Sequence, residues 1–254
     1  CDDLQQALNN GELDLETVDG VQEGIDIPGK PRADQTIWVV TNDMGTPIDT
    51  DFSLVAGSPE IGVEVQYTIW GYARGPGTPL GNTAFHEAEL IYKGKPDAHP
   101  APTASGAQID SLFTSWWVDP DIGTFSNDFV GSDPSRNMAY AYNSGPQDQA
   151  FRSLGLPPAA VGFDILKGPI RDKDTATPDT LGLTSFSFFA AGTEAQDPSL
   201  GSYTGTLEWF NLMRGVLPQP PYPRAEPFVN PITGQASKFA NSGDPVSRTG
   251  WIDG

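Results

Sequence analysis

Glycine and proline interrupt this chain 28 and 24 times in 254 residues, and that frequency puts long helices out of reach. Inside a helix a proline costs about 3 kcal/mol and a glycine about 1 kcal/mol relative to alanine. Aromatic residues nevertheless make up 10% of the chain, which disordered sequences of low hydrophobicity do not carry. The combination predicts many short strands joined by turns. The length suffices for one large β domain or two small ones with a sizeable core.

The strands are legible where β-branched and aromatic residues cluster. Thr36 to Thr41 reads Thr-Ile-Trp-Val-Val-Thr, a strand by composition. Ile61 to Ala73 alternates, with Val63, Val65, Tyr67 and Ile69 on one face and Glu64, Gln66 and Thr68 on the other. Gly75, Gly77 and Pro79 break it, and Thr83 to Lys93 resumes with Ala84, His86, Ala88, Leu90 and Tyr92 on one face. The two segments predict a long antiparallel hairpin with an irregular loop. Ile109 to Val118 reads as a buried strand, Met138 to Tyr142 as a short one, and Val161 to Leu166 and Leu183 to Ala190 as further strands. A short helix is predicted over Asp3 to Asn9. A second covers Thr206 to Arg214, capped by Thr204, burying Leu207, Phe210 and Met213, and ended by Gly215. Six prolines between Pro218 and Pro231 forbid regular structure there. No internal repeat is present. The expected architecture is an all-β fold, an antiparallel β-sandwich with long Gly/Pro-rich loops and one or two short helices. Residues 1–35 are expected to form an acidic arm or tether, and 36–254 a single β-sandwich-like domain.

Charge narrows the partners. With 33 acidic against 14 basic residues the net charge is −19 and the pI about 4.2. A phosphate backbone requires clustered Lys and Arg, so nucleic acid is excluded, and an anionic membrane surface is repelled. A lone cysteine, Cys1, allows no disulfide within the chain and no CxxC metal pair. His86 and His99 are too few for most transition-metal sites. No apolar stretch reaches membrane-spanning length. The first residue, Cys1, is followed by Asp2 and Asp3, which looks like the start of a mature bacterial lipoprotein whose cysteine carries the lipid. The alternative is a boundary that happens to fall on cysteine. A membrane link is expected only through that lipid.

The most distinctive segment follows Trp116 and Trp117. It carries Asp119, Asp121, Asp128 and Asp133 with Gly123 and Asn127 among them. Carboxylates this dense repel one another unless water or a cation lies between them, and oxygen-rich loops with a glycine at the sharp turn are how proteins hold calcium. The expected ligands are Asp119, Asp121 and Asp128, with Asp133 or Asn127 and a backbone carbonyl near Gly123. The spacing is not that of an EF-hand, and the bidentate Glu is missing. The alternative is a solvated turn in which Asp119 and Asp128 cap backbone amides. Asp49 and Asp51 form a weaker second candidate.

Catalysis has little support in the residues. Glu87 and Glu89 share a strand face, but a glycosidase pair flanks a sugar at about 5–9 Å, and same-face neighbours more often form a wet surface. A Ser nucleophile needs a His base, and His86 falls on the face of Leu90 and Tyr92, where a core or interface role fits better. Trp70, Trp116 and Trp117 are candidate platforms for stacking on sugar rings.

The ordered motifs Val-Val-Thr-Asn-Asp-Met (39–44), Ile-Gly-Val-Glu-Val-Gln-Tyr-Thr (61–68), Trp-Val-Asp-Pro-Asp-Ile-Gly (117–123), Asp-Phe-Val-Gly-Ser-Asp (128–133), Pro-Pro-Ala-Ala-Val-Gly-Phe-Asp (157–164), Asn-Leu-Met-Arg-Gly (211–215) and Ser-Gly-Asp-Pro-Val-Ser-Arg-Thr-Gly-Trp (242–251) resemble a family of secreted proteins of Bacteroidota and Ignavibacteria-type bacteria. Those proteins carry a type IX secretion sorting domain at the C-terminus, and most have no assigned reaction. The resemblance covers about residues 36 to 253 and implies export to the extracellular space or the outer-membrane surface. Family members usually carry Cys where Ser132 stands and continue past the Gly-Asp-Pro-Val segment, so the domain is expected to be incomplete at its C-terminus. Together these readings point to a calcium-stabilised surface module for structure, adhesion or assembly, partnered by other surface proteins or copies of itself, without catalysis. A carbohydrate-binding module serving polysaccharide capture is the second reading, and a hydrolase subunit the third.

Overall fold

The computed structural model describes residues 30, 32–43, 61–75, 77–94, 109, 111–172, 179–219 and 225–254. Cys1, Asp49, Asp51, His99 and the helix expected over Asp3 to Asn9 lie outside them. The chain groups into two compact units, Cys1–Thr46 with Pro59–Gln108 and Pro47–Ser58 with Ile109–Gly254. The regular elements of the described residues are mostly strands in antiparallel sheets, with two α-helices, an all-β fold.

In the first unit β1 (Gln35–Asn42), β2 (Val63–Gly71) and β3 (Ala84–Tyr92) form one sheet in that order. The β2–β3 hairpin is paired without slip from Val63 opposite Tyr92 to Gly71 opposite Ala84, as the alternation predicts. Two aspartates bracket β1 and hold both ends of β2. Asp34 accepts from Ala73 N at 2.7 Å. Asp43 accepts from Ile61 N at 2.6 Å and Val63 N at 2.9 Å. Gly62 lies in the left-handed region at φ 75°, where an added Cβ would overlap the Gly94 carbonyl oxygen. Glycine is therefore obligatory at that close crossing.

The second unit opens with coil. Ile109 to Val118 is not a strand: its described residues have no sheet partner, and Leu112, Phe113, Trp116 and Trp117 are exposed. Its aromatics dock singly, Phe113 against Phe210 at 5.6 Å and Trp117 edge-on to Trp209 at 5.8 Å. Then β4 (Asp128–Asp133), β5 (Met138–Asn143) and β6 (Ala160–Asp164) make a second antiparallel sheet, with a short helix α1 (Gln149–Ser153) between β5 and β6. Smaller pairs follow: β7 (Ile170–Asp172) with β8 (Asp179–Thr180), and β9 (Phe228–Val229) with β10 (Ala236–Ser237). Leu183 to Ala190 forms only an isolated bridge from Phe186 to Phe239. Its backbone is engaged by loops instead, with Phe186 N to Lys238 O at 2.8 Å and Ala190 N to Ala195 O at 2.8 Å.

The core of this unit gathers Ala195, Leu212, Leu217, Phe228 and Ala240, with Phe186, Phe188, Phe189, Trp209 and Trp251 packed around them. Helix α2 (Tyr203–Met213) supplies Leu212 and Trp209. Its cap is Ser202, which accepts from Gly205 N at 3.1 Å, rather than Thr204. Gly205, Glu208, Asn211 and Leu212 are its buried positions, whereas Phe210 is exposed.

Candidate functional site

The carboxylate-rich segment wraps the open end of the β4–β5 hairpin. Asp119 and Asp121 sit in exposed coil, where Asp121 N donates to Asp119 O at 3.1 Å. Gly123 turns at φ 81°, and an added Cβ there would overlap the Asp148 carboxylate, so the glycine lets a carboxylate and a backbone meet. A 3-10 turn over Phe125–Asn127 leads into β4, and Ser144 N, at the end of β5, donates to Asn127 O at 2.8 Å.

Asp128 is the first residue of β4 and Asp133 the last. Five steps of strand separate them by about 16 Å, so one ion cannot bind both. Asp133 is occupied at its own end: it accepts from Ser135 N at 3.0 Å and Ser135 Oγ at 2.5 Å and pairs with the Arg136 guanidinium. The Ser135 hydrogen bond, against partial burial and together with Arg136, holds its carboxyl below the usual carboxylate range.

Asp128 is different. Its Oδ2 accepts from Ile122 N at 2.8 Å, while its Oδ1 is buried without a hydrogen-bond partner. Burial pushes its carboxyl up; the Ile122 bond pulls it down, and Asp121 and Asp148 repel its charge. Two further acceptors nearby are in the same condition, Asn127 Oδ1 and Asn143 Oδ1. Asn143 stands directly opposite Asp128 in the β4–β5 register, and cross-strand partners project from the same sheet face about 4.5–5.5 Å apart.

Asp148 closes the same region. It is 3% exposed and accepts from Ala150 N at 2.8 Å, Phe151 N at 3.1 Å and Thr124 N at 3.0 Å. Burial pushes its carboxyl up, but the hydrogen bonds from Thr124, Phe151 and Ala150 outweigh burial and hold it at about 2. It caps α1 and ties that helix to the Gly123 turn.

Of the residues the sequence singles out, the structure brings Asn127 and Asp128 together, places Asp121 close enough to repel Asp128, and sets Asp133 apart. Among the described residues no three carboxylate, imidazole or thiol side chains gather to hold a metal; the acceptors that do gather are two amide oxygens and one carboxylate. Asn143 and Asp148 escape a sequence reading. Asp148 carries a helix-cap signal ahead of Ala150 and Phe151, but Asn143 is found only through strand register.

The tryptophans divide. Trp70 is half-buried and stacks on Phe85 at 5.4 Å, with Lys30 Nζ 4.9 Å from its ring centre. Trp116 and Trp117 are 51% and 48% exposed. Glu87 pairs with Lys30 at 2.8 Å, and His86 lies exposed opposite Ile69. A cleft of about 450 Å³ runs between the β4–β5 turn and residues 242–246, lined by Asp133, Arg136, Tyr140, Asp244 and Val246 among others. Its carboxylates are engaged locally, Asp244 by Val246 N at 2.8 Å and Ser247 Oγ at 2.7 Å.

The chain matches no protein-family profile, no curated protein and no solved structure.

Proposed function

We propose that this chain is an extracellular or cell-surface structural module, stabilised by calcium, that acts in adhesion or assembly with other surface proteins or copies of itself and carries out no reaction. The observation that carries this reading is β1. It is an outer strand of its sheet, eight residues long, without charge, proline or bulge. Ile37, Trp38 and Val39 along it are 51%, 62% and 44% exposed. Proteins ordinarily blunt such an edge with lysine, proline or a bulge, because its free N–H and C=O groups template another strand. The opposite edge, β3, carries Glu87 and Glu89. One guarded edge and one edge that no described residue pairs with support strand addition at β1, where the main chain supplies affinity and alternating side chains supply selectivity. Engagement of Glu87 by Lys30 supports a structural rather than a catalytic role for that acidic face. Export by the type IX route is the setting the family resemblance implies.

Sedimentation velocity over a hundredfold concentration range tests the reading. Reversible association beyond the monomer supports it. A monomer at every concentration, which also fails to retain surface proteins from a producing cell's outer membrane, removes it.

Glycan capture is the second reading, favoured by the half-exposed, adjacent Trp116 and Trp117. Exposed indoles stack on sugar faces. Calorimetry with a panel of oligosaccharides, repeated on Trp116→Ala and Trp117→Ala, distinguishes it: binding that either variant loses supports capture, and silence across the panel counts against it.

A further inference from the structure

Three residues at one end of the β4–β5 hairpin each carry an unpaired oxygen acceptor. Asn127 Oδ1, Asp128 Oδ1 and Asn143 Oδ1 are each buried and without a hydrogen-bond partner. A buried acceptor left unmade costs its desolvation, about 1–3 kcal/mol and more for a charged group, so three adjacent ones call for a ligand.

Their placement is not accidental to the fold. Asn143 is 8% exposed, and its Nδ2 donates to Gly145 O at 2.7 Å and Gln147 O at 3.3 Å. Those two carbonyls fix which end of the amide is nitrogen, since a flipped amide would set oxygen against oxygen. Oδ1 is thereby turned away from the 145–147 turn, on the sheet face that Asn143 shares with Asp128. Asn127 is held onto the same strand end by the Ser144 N to Asn127 O bond of 2.8 Å. A water has only two protons to donate to three acceptors. A hard cation satisfies all three at once and also relieves the repulsion between Asp128, Asp121 and Asp148.

We infer that Asn127, Asp128 and Asn143 supply the side-chain oxygens of a Ca²⁺ site that fastens the 119–127 loop to the end of the β4–β5 hairpin. The inference rests on the calcium part of the function proposed above and assigns it a ligand set. Calcium takes six to eight oxygens and accepts amide carbonyls alongside carboxylates; water and the exposed Asp121 complete the shell. Asp148 is a positioning residue, its oxygens already engaged by Thr124, Ala150 and Phe151, and it sets the loop's path without binding the ion. With few formal charges on the ligands, affinity falls in the range of extracellular modules, a Kd of about 10⁻⁴–10⁻³ M.

The test uses the full chain stripped with EGTA and dialysed, with CaCl₂ as the probe, followed by calorimetric titration and thermal unfolding. In about 10 mM CaCl₂ the melting temperature of the wild type rises by about 3–10 °C. Asp128→Asn and Asn127→Ala weaken binding at least tenfold and lose most of the rise, while Asp133→Asn keeps both. Asn127→Ala removes a partly exposed side chain and keeps the test readable where Asp128→Asn disturbs folding. A wild-type rise that both variants retain overturns this ligand set and leaves calcium stabilisation standing at another place. A wild type that shows neither heat nor a shift overturns both.

Discussion

Asp148 illustrates how much one buried carboxylate organises. It caps α1 through Ala150 and Phe151 and holds Thr124 beside the Gly123 turn. Asp148→Ala removes the cap and strands three N–H groups, so the melting temperature should fall by about 5–10 °C. Its carboxyl, held at about 2 in the fold, lies below the value of about 3.9 expected in the unfolded chain. The stability it contributes is therefore complete above about pH 4 and is lost as pH falls from there towards 2. Urea midpoints at pH 5, 3 and 2 should show the gap between wild type and variant closing. Asp253 has the opposite sign. Its Oδ2 accepts from Val130 N at 2.9 Å, yet burial pushes its carboxyl up, more than the Val130 and Gly254 hydrogen bonds pull it down. A carboxyl raised in the fold is a charge the fold disfavours at neutral pH, and stability returns as pH falls through the raised value towards the unfolded one. Asp253→Asn keeps an acceptor for Val130 without the charge. It should be more stable than wild type at pH 7, and the advantage should vanish near pH 3, as thermal melts at the two values would show.

The elements divide into those that local pattern determines and those that packing determines. The β2–β3 hairpin was legible because alternation over both segments fixes which face each residue takes, and its register follows. β5 and β6 were legible within two residues of their ends. Ile109 to Val118 has the composition of a strand, but its aromatics find better partners singly, on Phe210, Phe163 and Trp209, and composition cannot show that. The carboxylate segment was half legible: its density marks the loop that carries the buried unpaired acceptors Asn127 and Asp128, but Asp128 and Asp133 became the two ends of a strand, and Asn143 entered through pairing. In α2 the C-terminal end and the glycine stop were readable, whereas the start, three residues earlier than expected, and the buried face were not, because that face is made of Gly205, Glu208 and Asn211 beside Leu212. Glu208 accepts from Ser199 N at 2.7 Å, and Asn211 Nδ2 donates to Pro218 O at 3.1 Å. This helix packs against loops by hydrogen bonds and close approach. Gly205 shows the closeness, since a Cβ there would overlap the Ser199 carbonyl oxygen. Helix propensity alone would make Gly205→Ala stabilising by about 1 kcal/mol. The overlap with backbone wins, and the net effect should be a loss of about 1–3 kcal/mol, read as a lower urea midpoint with an unchanged slope.

At the scale of the whole molecule, an edge strand unpaired on its outer side among the described residues and a net charge of −19 oppose each other. The edge invites a second chain, and the charge keeps two copies apart until ions screen it, over about 10 Å at 0.1 M salt and 3 Å at 1 M. Association through β1 should therefore be weak in 10 mM NaCl and strengthen steadily towards 1 M, the reverse of what salt does to ion-paired interfaces. Higher salt also favours any apolar contact, so a variant has to separate the edge from general stickiness. Val39→Lys does so. Val39 faces the same side of the sheet as Ile37 and Tyr67, and a charged lysine on an edge strand is a device that blocks strand addition. The change also lowers the net negative charge by one. If long-range repulsion alone governed association, the variant would associate more readily than wild type. If β1 is the contact, it associates less at every salt concentration. Sedimentation velocity of both chains at 10 mM, 150 mM and 1 M NaCl reads the sign directly, and a variant that matches or exceeds the wild type would remove β1 from the interface.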